Sequence, residues 1–178
     1  MTTAAAGPEA FTEGDAHWLR RAFRLALDAR ARGDRPFGAV VVDAGGEALA
    51  EAGSTQGESG EGTLAHSEMN ALARLHARRV PREALAGATI YSSGEPCAMC
   101  AAAIFYAGIG RVVYGLSAGA ILAARNARPE TAGLSLSCRA VLASAHAPPV
   151  VVGPCLESEA AVPHAGYWKA EAATTPAG

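Results

Sequence analysis

Two short motifs constrain the fold of this chain of 178 residues more than any other feature. Residues 66–68 read His-Ser-Glu in the first turn of a predicted helix, and residues 96–100 read Pro-Cys-Ala-Met-Cys where a predicted strand passes into another helix. Imidazole and thiolate are ligands that Zn²⁺ prefers, and three protein ligands leave the fourth tetrahedral position for water. His66, Cys97 and Cys100 therefore predict a metal site that keeps one position open.

A carboxylate accompanies the predicted ligands. Glu68 follows His66 by two residues, so it can lie beside a metal-bound water instead of binding the metal. Zinc lowers the pKa of such a water to about 7, and a neighbouring carboxylate can take its proton and later deliver it to a leaving group. The pattern HxE followed by PCxxC is the signature of zinc deaminases that act on nucleobases. The alternative is a structural zinc site in which Cys138, Cys155 or a distant histidine supplies a fourth ligand.

Composition favours a globular chain that acts on a small molecule. Half of the residues are apolar and 18% are charged, which leaves ample material for a core. The formal net charge of −2, from 15 basic and 17 acidic residues, argues against a broad phosphate-binding face. Because neither a secretory signal nor an apolar run of about 18 residues is found, we expect a cytoplasmic protein that binds no membrane.

Hydrophobic periodicity and turn residues predict alternating helices and strands. The first two strands form a hairpin, and the last two can run parallel because the segment between them is long enough for a helical crossover. This predicts an α/β fold with a mixed five-stranded sheet covered by helices on both faces. A single domain is expected over residues 15–171, between a flexible N-terminus (1–14) and a frayed tail (172–178). Helices are predicted at 15–32, 64–78, 97–107, 118–126, 136–144 and 157–161, and strands at 39–42, 47–52, 88–92, 111–114 and 150–152.

The chain resembles the cytidine deaminase-like superfamily over about residues 15 to 127. Within that superfamily it is similar to the branch of bacterial guanine deaminases, nucleoside deaminases and tRNA adenosine deaminases. The matching segments, in order and at suitable spacing, are PFGAVVV at 36–42, AHSEMNAL at 65–72, SGEPCAMCA at 93–101 and RVVYG at 111–115. These motifs are highly specific for fold and metal and much less so for substrate.

The resemblance implies a three-layer α/β/α sandwich and a zinc-dependent hydrolase. It implies that His66, Cys97 and Cys100 hold the zinc. Glu68 then moves protons while zinc hydroxide attacks the amino-bearing ring carbon and ammonia leaves. The expected substrate is a free nucleobase or nucleoside with a guanine-like purine, triazine or cytosine-type ring, and a homodimer is expected. A tRNA-specific adenosine deaminase is the alternative enzyme, although nucleic acid is an unlikely partner. A noncatalytic zinc-stabilised interaction module is the alternative of a different class.

Three residues are candidates for the substrate pocket. In the family the backbone amide between the His and Glu of the first motif typically holds a base carbonyl, and here that residue is Ser67. An aromatic residue after the PCxxC helix often packs on the base in guanine deaminases, which makes Tyr106 a candidate. Phe37 is either a wall of the pocket or part of the core.

Two positions depart from the pattern of the family. Relatives usually carry an Asn at the end of the second hairpin strand, whereas this chain has Ser54 and Thr55 there, and one of these hydroxyls is expected to substitute. Guanine and tRNA adenosine deaminases commonly place an Asp shortly after the fourth strand, but residues 116–120 contain no acid. This second departure argues against ordinary guanine as the substrate.

An aromatic cluster stands near the C-terminus. His164, Tyr167 and Trp168 follow the last predicted strand in a stretch otherwise made of small residues. One interpretation is that the cluster anchors the C-terminal segment on the core. The other, suggested by the C-terminal segments of guanine deaminases, is that residues 153–171 form a lid over the active site, often across a dimer, and that the three side chains contact substrate.

Overall fold

A five-stranded mixed sheet organises the chain in a computed structural model that describes residues 9–125 and 134–168. The strands are β1 (Gly38–Val42), β2 (Ala48–Gly53), β3 (Thr89–Gly94), β4 (Arg111–Leu116) and β5 (Val150–Val152). Their order across the sheet is β2-β1-β3-β4-β5. β1 runs antiparallel to both β2 and β3, whereas β3, β4 and β5 are mutually parallel. The predicted hairpin and the parallel last pair are both confirmed.

Helices cover both faces of this sheet, which confirms the three-layer α/β/α architecture. One face carries α1, α5 and α7, which share a core with Val40 and Val113. The opposite face carries α2, α3, α4 and α6, which pack on Val41 and Val112. Neighbouring residues of one strand therefore serve opposite cores, as the period of two in a strand requires. The helices are α1 (Glu13–Ala31), α2 (Ser67–Ala77), α3 (Arg82–Leu85), α4 (Ala98–Ala107), α5 (Ala118–Ala124), α6 (Cys138–Ala143) and α7 (Glu157–Ala160).

Several helix starts differ from the predicted ones. α2 begins at Ser67 and not at residue 64, because His66 is extended and forms the N-cap. Leu64, whose spacing suggested an earlier start, is 65% exposed. α6 begins two residues later than predicted because the Ser137 side chain accepts a hydrogen bond from the backbone of the first helical turn. Apolar spacing alone had extended both predicted helices into the loops that precede them.

The N-terminal boundary and a short helix also need correction. α1 begins at Glu13, because Thr12 and Asp15 form a capping box, so the last residues of the predicted flexible segment (1–14) belong to the start of this helix. α3, which has no counterpart among the predicted helices, follows α2 and has Pro81 as its N-cap. Residues 1–8 and the predicted frayed tail at 172–178 lie outside the described residues. None of the helices in the described part of the chain combines the length and the apolar character needed to cross a bilayer.

A buried ion pair fastens α1 to the sheet. Asp15, which is 3% exposed, accepts hydrogen bonds from the guanidinium of Arg111 at 2.6 and 3.0 Å and from the Tyr91 hydroxyl at 2.9 Å. Burial tends to raise the pKa of this carboxyl, but the hydrogen bonds from Arg111, Thr12 and Tyr91 outweigh burial and hold the pKa at about 2. Asp15 is therefore a charged link between α1 and strands β3 and β4.

We expect Asp15→Asn to lower the free energy of unfolding at pH 7 by about 3 kcal/mol, because it leaves the partly buried Arg111 without its charged partner. The pKa of Asp15 in the folded protein lies below the ordinary value of 3.8 for an aspartate, so the ion pair stabilises the protein above that pH and is lost as pH falls towards about 2. Urea unfolding at pH 7 and between pH 2 and 4 measures both effects. The matched control is Asp28→Asn on the exposed side of α1, which we expect to change stability by less than about 0.5 kcal/mol. Equal effects of the two variants would contradict the assignment.

Candidate metal centre and adjoining cavity

The three predicted ligands meet at the starts of two helices. His66 is the N-cap of α2, Cys97 is the N-cap of α4, and Cys100 lies in the first turn of α4. The Nδ1 atom of His66 is 3.8 Å from Sγ of Cys97 and 3.5 Å from Sγ of Cys100, and all three ligand atoms lie within 4.8 Å of one another. Zn–S bonds of about 2.3 Å and Zn–N bonds of about 2.0 Å put the ligand atoms of a tetrahedral site roughly 3.5–3.8 Å apart. The donor set and its spacing therefore fit Zn²⁺.

Local structure directs these side chains towards one another. Neither His66 nor Cys97 uses its side chain to cap its own helix. Both side chains therefore project from a helix start, where the partial positive charge of the helix dipole favours thiolate over thiol. The strand β3 ends just before Cys97, so the sheet fixes the position of the second motif relative to the first.

The two thiols have different acidity. The hydrogen bond from Cys100 is the main cause that lowers the pKa of the Cys97 thiol to about 4, and His66 contributes in the same direction. The same hydrogen bond, together with burial, raises the pKa of Cys100. Cys97 is therefore the more acidic of the two thiols, and Cys100 is the donor in the hydrogen bond between them. Binding of a metal requires the Cys100 proton to be released as well.

Glu68 lies next to this cluster with a buried carboxylate that is 5% exposed. Its Oε1 accepts a hydrogen bond of 2.6 Å from Ser92 Oγ, and its Oε2 accepts one of 3.2 Å from Ser67 Oγ. Oε2 is also 3.7 Å from Sγ of Cys100. Ser92 was not singled out from the sequence, because a serine inside a predicted strand carries no signal of its own. A serine hydroxyl thus holds each carboxylate oxygen, and Oε2 is the oxygen that lies against the predicted ligands.

A cavity of about 350 Å³ opens beside the cluster and is lined by His66, Glu68 and Cys97. A more open groove of about 310 Å³ shares Arg35 and Gln56 with it as lining residues. A volume of a few hundred cubic ångströms suits a small organic ligand. The remaining apolar wall of the cavity includes Phe37, Pro96, Ile121 and Leu122, and its polar wall includes Arg35, Gln56, Glu95, Arg125 and Ser137.

Ser54 and Thr55 do not line this cavity. The Ser54 hydroxyl donates to the Ala65 carbonyl at 3.3 Å, and the Thr55 hydroxyl donates to Glu61 at 2.8 Å. Both hydroxyls therefore hold the loop that follows β2, and their predicted contact with substrate has no support in the described cavity. The next residue, Gln56, reaches the cavity instead, and its amide nitrogen donates to a loop carbonyl at 2.7 Å.

The three other residues predicted for the pocket lie in different places relative to the cavity. Phe37 lines the cavity and also packs against the core on the α1 face, so both of the positions expected for it apply. The side chain of Ser67 is buried and bonded to Glu68, so that its predicted role remains one for its backbone amide. Tyr106 lies outside the cavity, is 74% exposed and packs edge to face on Phe105 with 5.4 Å between ring centroids. Within one copy of the chain, Tyr106 is not placed to pack on a base.

The C-terminal aromatic cluster packs behind the cavity wall. His164 and Trp168 are buried and stacked, with 5.9 Å between ring centroids, and the Trp168 indole donates to His164 at 3.2 Å. Phe37 lies 5.1 Å from His164, and the guanidinium of Arg125 lies 5.0 Å above Trp168. Tyr167 is half-buried against Trp168. The cluster contacts two residues of the cavity wall without lining the cavity itself, and residues 169–171 of the predicted lid lie outside the described residues.

The alternative of a four-ligand structural site finds no fourth ligand in residues 9–125 and 134–168. His66, Cys97 and Cys100 are the one group of three or more metal-ligating side chains found there. Cys138 is buried in the core between the sheet and α6, as a small apolar residue would be, and burial raises the pKa of its thiol to about 12. Cys155 is half-buried at the edge of the core on the other face of the sheet.

Comparison with known proteins agrees with this site. Residues 12–116 match the cytidine and deoxycytidylate deaminase zinc-binding region. The chain is 36% identical over 157 residues to a probable cytosine deaminase of Schizosaccharomyces pombe, which covers 88% of this chain and 94% of the relative. It is 38% identical to the tRNA-specific adenosine deaminase of Haemophilus influenzae over 106 residues, or 60% of either chain.

A solved structure of guanine deaminase from Nitrosomonas europaea shares the fold, with a TM-score of 0.71 at 19% identity, over 91% of this chain and 88% of that one. A structure from a study of tRNA:A34 deaminases has a TM-score of 0.59 at 30% identity and covers 78% of this chain and 98% of that one. The matched region contains both motifs and every residue of the metal cluster. The chain therefore belongs to the zinc-binding cytidine and deoxycytidylate deaminase family.

Proposed function

We propose that the protein is a zinc-dependent hydrolytic deaminase of a free nucleobase or nucleoside. His66, Cys97 and Cys100 hold the metal in this proposal, and Glu68 is the proton shuttle. The observation that carries the proposal is the position of the Glu68 carboxylate. This group is buried, is held by Ser92 and lines the same cavity as two of the three ligands, His66 and Cys97. When bound, zinc supplies a Lewis acid with an open position that lowers the pKa of water to about 7.

The side chains divide the chemistry between them. Glu68 takes a proton from the attacking water and transfers it to the ring nitrogen, and then assists departure of the amino group as ammonia. Oε1 accepts the short bond from Ser92, whereas Oε2 accepts the longer bond from Ser67 and lies beside the ligand Cys100, so Oε2 is the oxygen that exchanges the proton. The Ser67 backbone amide is the donor proposed for a carbonyl oxygen of the ring. The overall reaction converts an amidine and one water into an amide and ammonia.

The cavity suits a flat ring with a polar edge. Phe37 and Ile121 provide apolar surface for a ring face, while Arg35, Gln56 and Arg125 provide donors and an acceptor for its edge. The similarity to a probable cytosine deaminase along nearly its whole length makes a cytosine-type ring the first candidate. Purine and triazine rings follow. The groove that shares Arg35 and Gln56 with the cavity is a candidate space for a sugar, so that nucleosides belong in the same test.

A tRNA-specific adenosine deaminase is the second candidate, and the relative from Haemophilus influenzae favours it. The net charge of −2 weighs against it, because RNA-binding proteins usually carry a basic excess. A homodimer also remains a prediction, as does a role of Tyr106 in the pocket of a partner subunit.

Ammonia release from a panel of substrates tests the proposal. The panel holds cytosine, guanine, adenine and a triazine, the matching nucleosides, and unmodified tRNA, with zinc content measured in the same preparation. We expect turnover of at least one free base or nucleoside by protein that contains one zinc per chain. Turnover of tRNA alone would establish the second candidate, and zinc binding without any ammonia release would indicate a noncatalytic module.

Removing the C-terminal aromatic cluster tests whether this segment supports the cavity wall through Phe37 and Arg125. We expect deletion of residues 163–178 to raise KM by about tenfold with unchanged zinc content, because Phe37 and Arg125 lose the packing that holds the cavity wall. Trp168→Ala makes the same test with the chain length preserved, and Tyr167→Ala, at a less buried ring, is the control. If KM and kcat keep their values in both the deletion and Trp168→Ala, the segment is only an anchor.

A further inference from the structure

Glu95 occupies a junction between the sheet, the metal centre and the cavity. It follows the last residue of β3 and precedes Pro96 and Cys97. Its backbone N–H donates to the Leu116 carbonyl at the end of β4 at 2.8 Å. The main chain at Glu95 is therefore fixed to the carboxyl end of two parallel strands, two residues from a proposed zinc ligand. Ligand sites of open α/β sheets usually lie at this end of the strands.

The carboxylate of Glu95 reaches two helices at once. Oε2 accepts the backbone N–H of Ala118 at 3.0 Å, and Oε1 accepts the backbone N–H of Cys138 at 3.1 Å. Ala118 is the first residue of α5 and Cys138 is the first residue of α6. Hydrogen bonds from a helix start to a carboxylate are strengthened by the charge and by the helix dipole. One side chain thus holds the first turns of both helices.

These two helices lie on opposite faces of the sheet. Ile121 of α5 packs in the core shared with α1, whereas Leu142 of α6 packs in the core shared with α2 and α4. Their starts nevertheless both border the cavity, through Ala118 and Ser137. Glu95 spans the carboxyl end of the sheet and connects these two parts of the cavity wall.

We propose that Glu95 is a positioning residue that holds the starts of α5 and α6 in place relative to the metal centre, and thereby sets the shape of the cavity and the affinity for substrate. This inference rests on the proposed function, because affinity is measured through turnover. Glu95 does not take part in proton transfer in this role, since both of its carboxylate oxygens accept backbone N–H groups. Its removal should therefore affect binding and leave the chemical step nearly intact.

Glu95→Gln tests the role with almost no change of shape. The amide oxygen can still accept the backbone N–H at the start of one helix. The amide NH₂ group then faces the backbone N–H of the other helix and, as a donor, cannot accept a hydrogen bond from it. We expect KM to rise about tenfold and kcat to change by less than about threefold. The variant loses binding energy that the substrate and the transition state share equally, and such a loss raises KM without lowering kcat. Zinc content should stay at one per chain. The matched control is Glu159→Gln, which breaks a surface ion pair with Arg20 and should leave both constants unchanged.

The outcomes separate this role from a structural one. A lower melting temperature with unchanged KM shows that Glu95 only stabilises the fold and overturns the proposal, and so does an equal fall of kcat and zinc content. Should Glu95→Gln yield no folded protein, Glu95→Asp, whose shorter side chain cannot reach both helices, decides in the same assay. Absence of turnover by the unmodified protein would overturn the proposed function, whereas an unchanged Glu95→Gln variant of an active enzyme overturns this inference alone.

Discussion

Glu68→Ala is expected to reduce deamination by more than about a thousandfold, because it removes the group that moves protons to and from the substrate. The change leaves His66, Cys97 and Cys100 in place, so zinc content should stay at one per chain. The same substrate can therefore still bind, and KM is expected to change far less than kcat. Turnover of the best substrate of the panel, together with metal analysis, measures both quantities.

Two variants sharpen this experiment. Glu68→Gln keeps the size of the side chain and an oxygen that can accept from Ser92, so it separates loss of the carboxylate from loss of packing. We expect it to be nearly as inactive as Glu68→Ala. Glu83→Ala, at an exposed position of α3, is the control and should retain full turnover. Unchanged turnover of Glu68→Ala would remove Glu68 from the mechanism.

Cys97→Ala is expected to abolish zinc binding as well as activity. Two remaining protein ligands do not make a tight site, and one of the two thiolates that would bind the metal is removed. We expect zinc to fall from one per chain to nearly none after dialysis, and turnover to fall by several orders of magnitude. Metal analysis after dialysis gives the first result and ammonia release gives the second.

Cys155→Ala is the matched control for this variant, since Cys155 lies at the edge of the other core. It should keep its zinc and its activity. Zinc retained at full stoichiometry by Cys97→Ala would show that Cys97 is not a ligand. The pH dependence offers a further check, because metal binding releases protons and the affinity for zinc should decrease as pH is lowered.

The metal centre and the strands of the sheet could be predicted from the spacing of residues along the chain. His66, Cys97 and Cys100 could be grouped from the sequence because each motif marks a helix start and the donor types suit one metal. The five strands followed from β-branched runs and turn residues, and the hairpin and crossover lengths set their directions. These features depend on neighbours in the chain, so the sequence carries them directly.

Features that depend on distant contacts were not predictable. Gln56 reaches the cavity where Thr55 was expected, because the course of the loop is decided by hydrogen bonds of Thr55 to residues 6 and 15 positions away. The Glu95 carboxylate accepts hydrogen bonds from Ala118 and Cys138, which are 23 and 43 positions away in the chain. Trp168 could equally have covered the cavity or packed behind it, and only contacts with Phe37 and Arg125 decide between the two.

The residues at the N-cap positions of α2 and α4 make the first turns of these helices depend on bound metal for their stability. Serine or aspartate at such a position typically adds about 1 kcal/mol to helix stability, and His66 and Cys97 supply no such side-chain bond. Both helices therefore lack the stability that a side-chain cap would add, because their N-cap residues are the proposed metal ligands. A bound metal can offset this loss by linking the first turns of the two helices. Chelators should then loosen the first turns of both helices, and preparations that lose metal should become sensitive to proteases at those turns before the rest of the fold is affected.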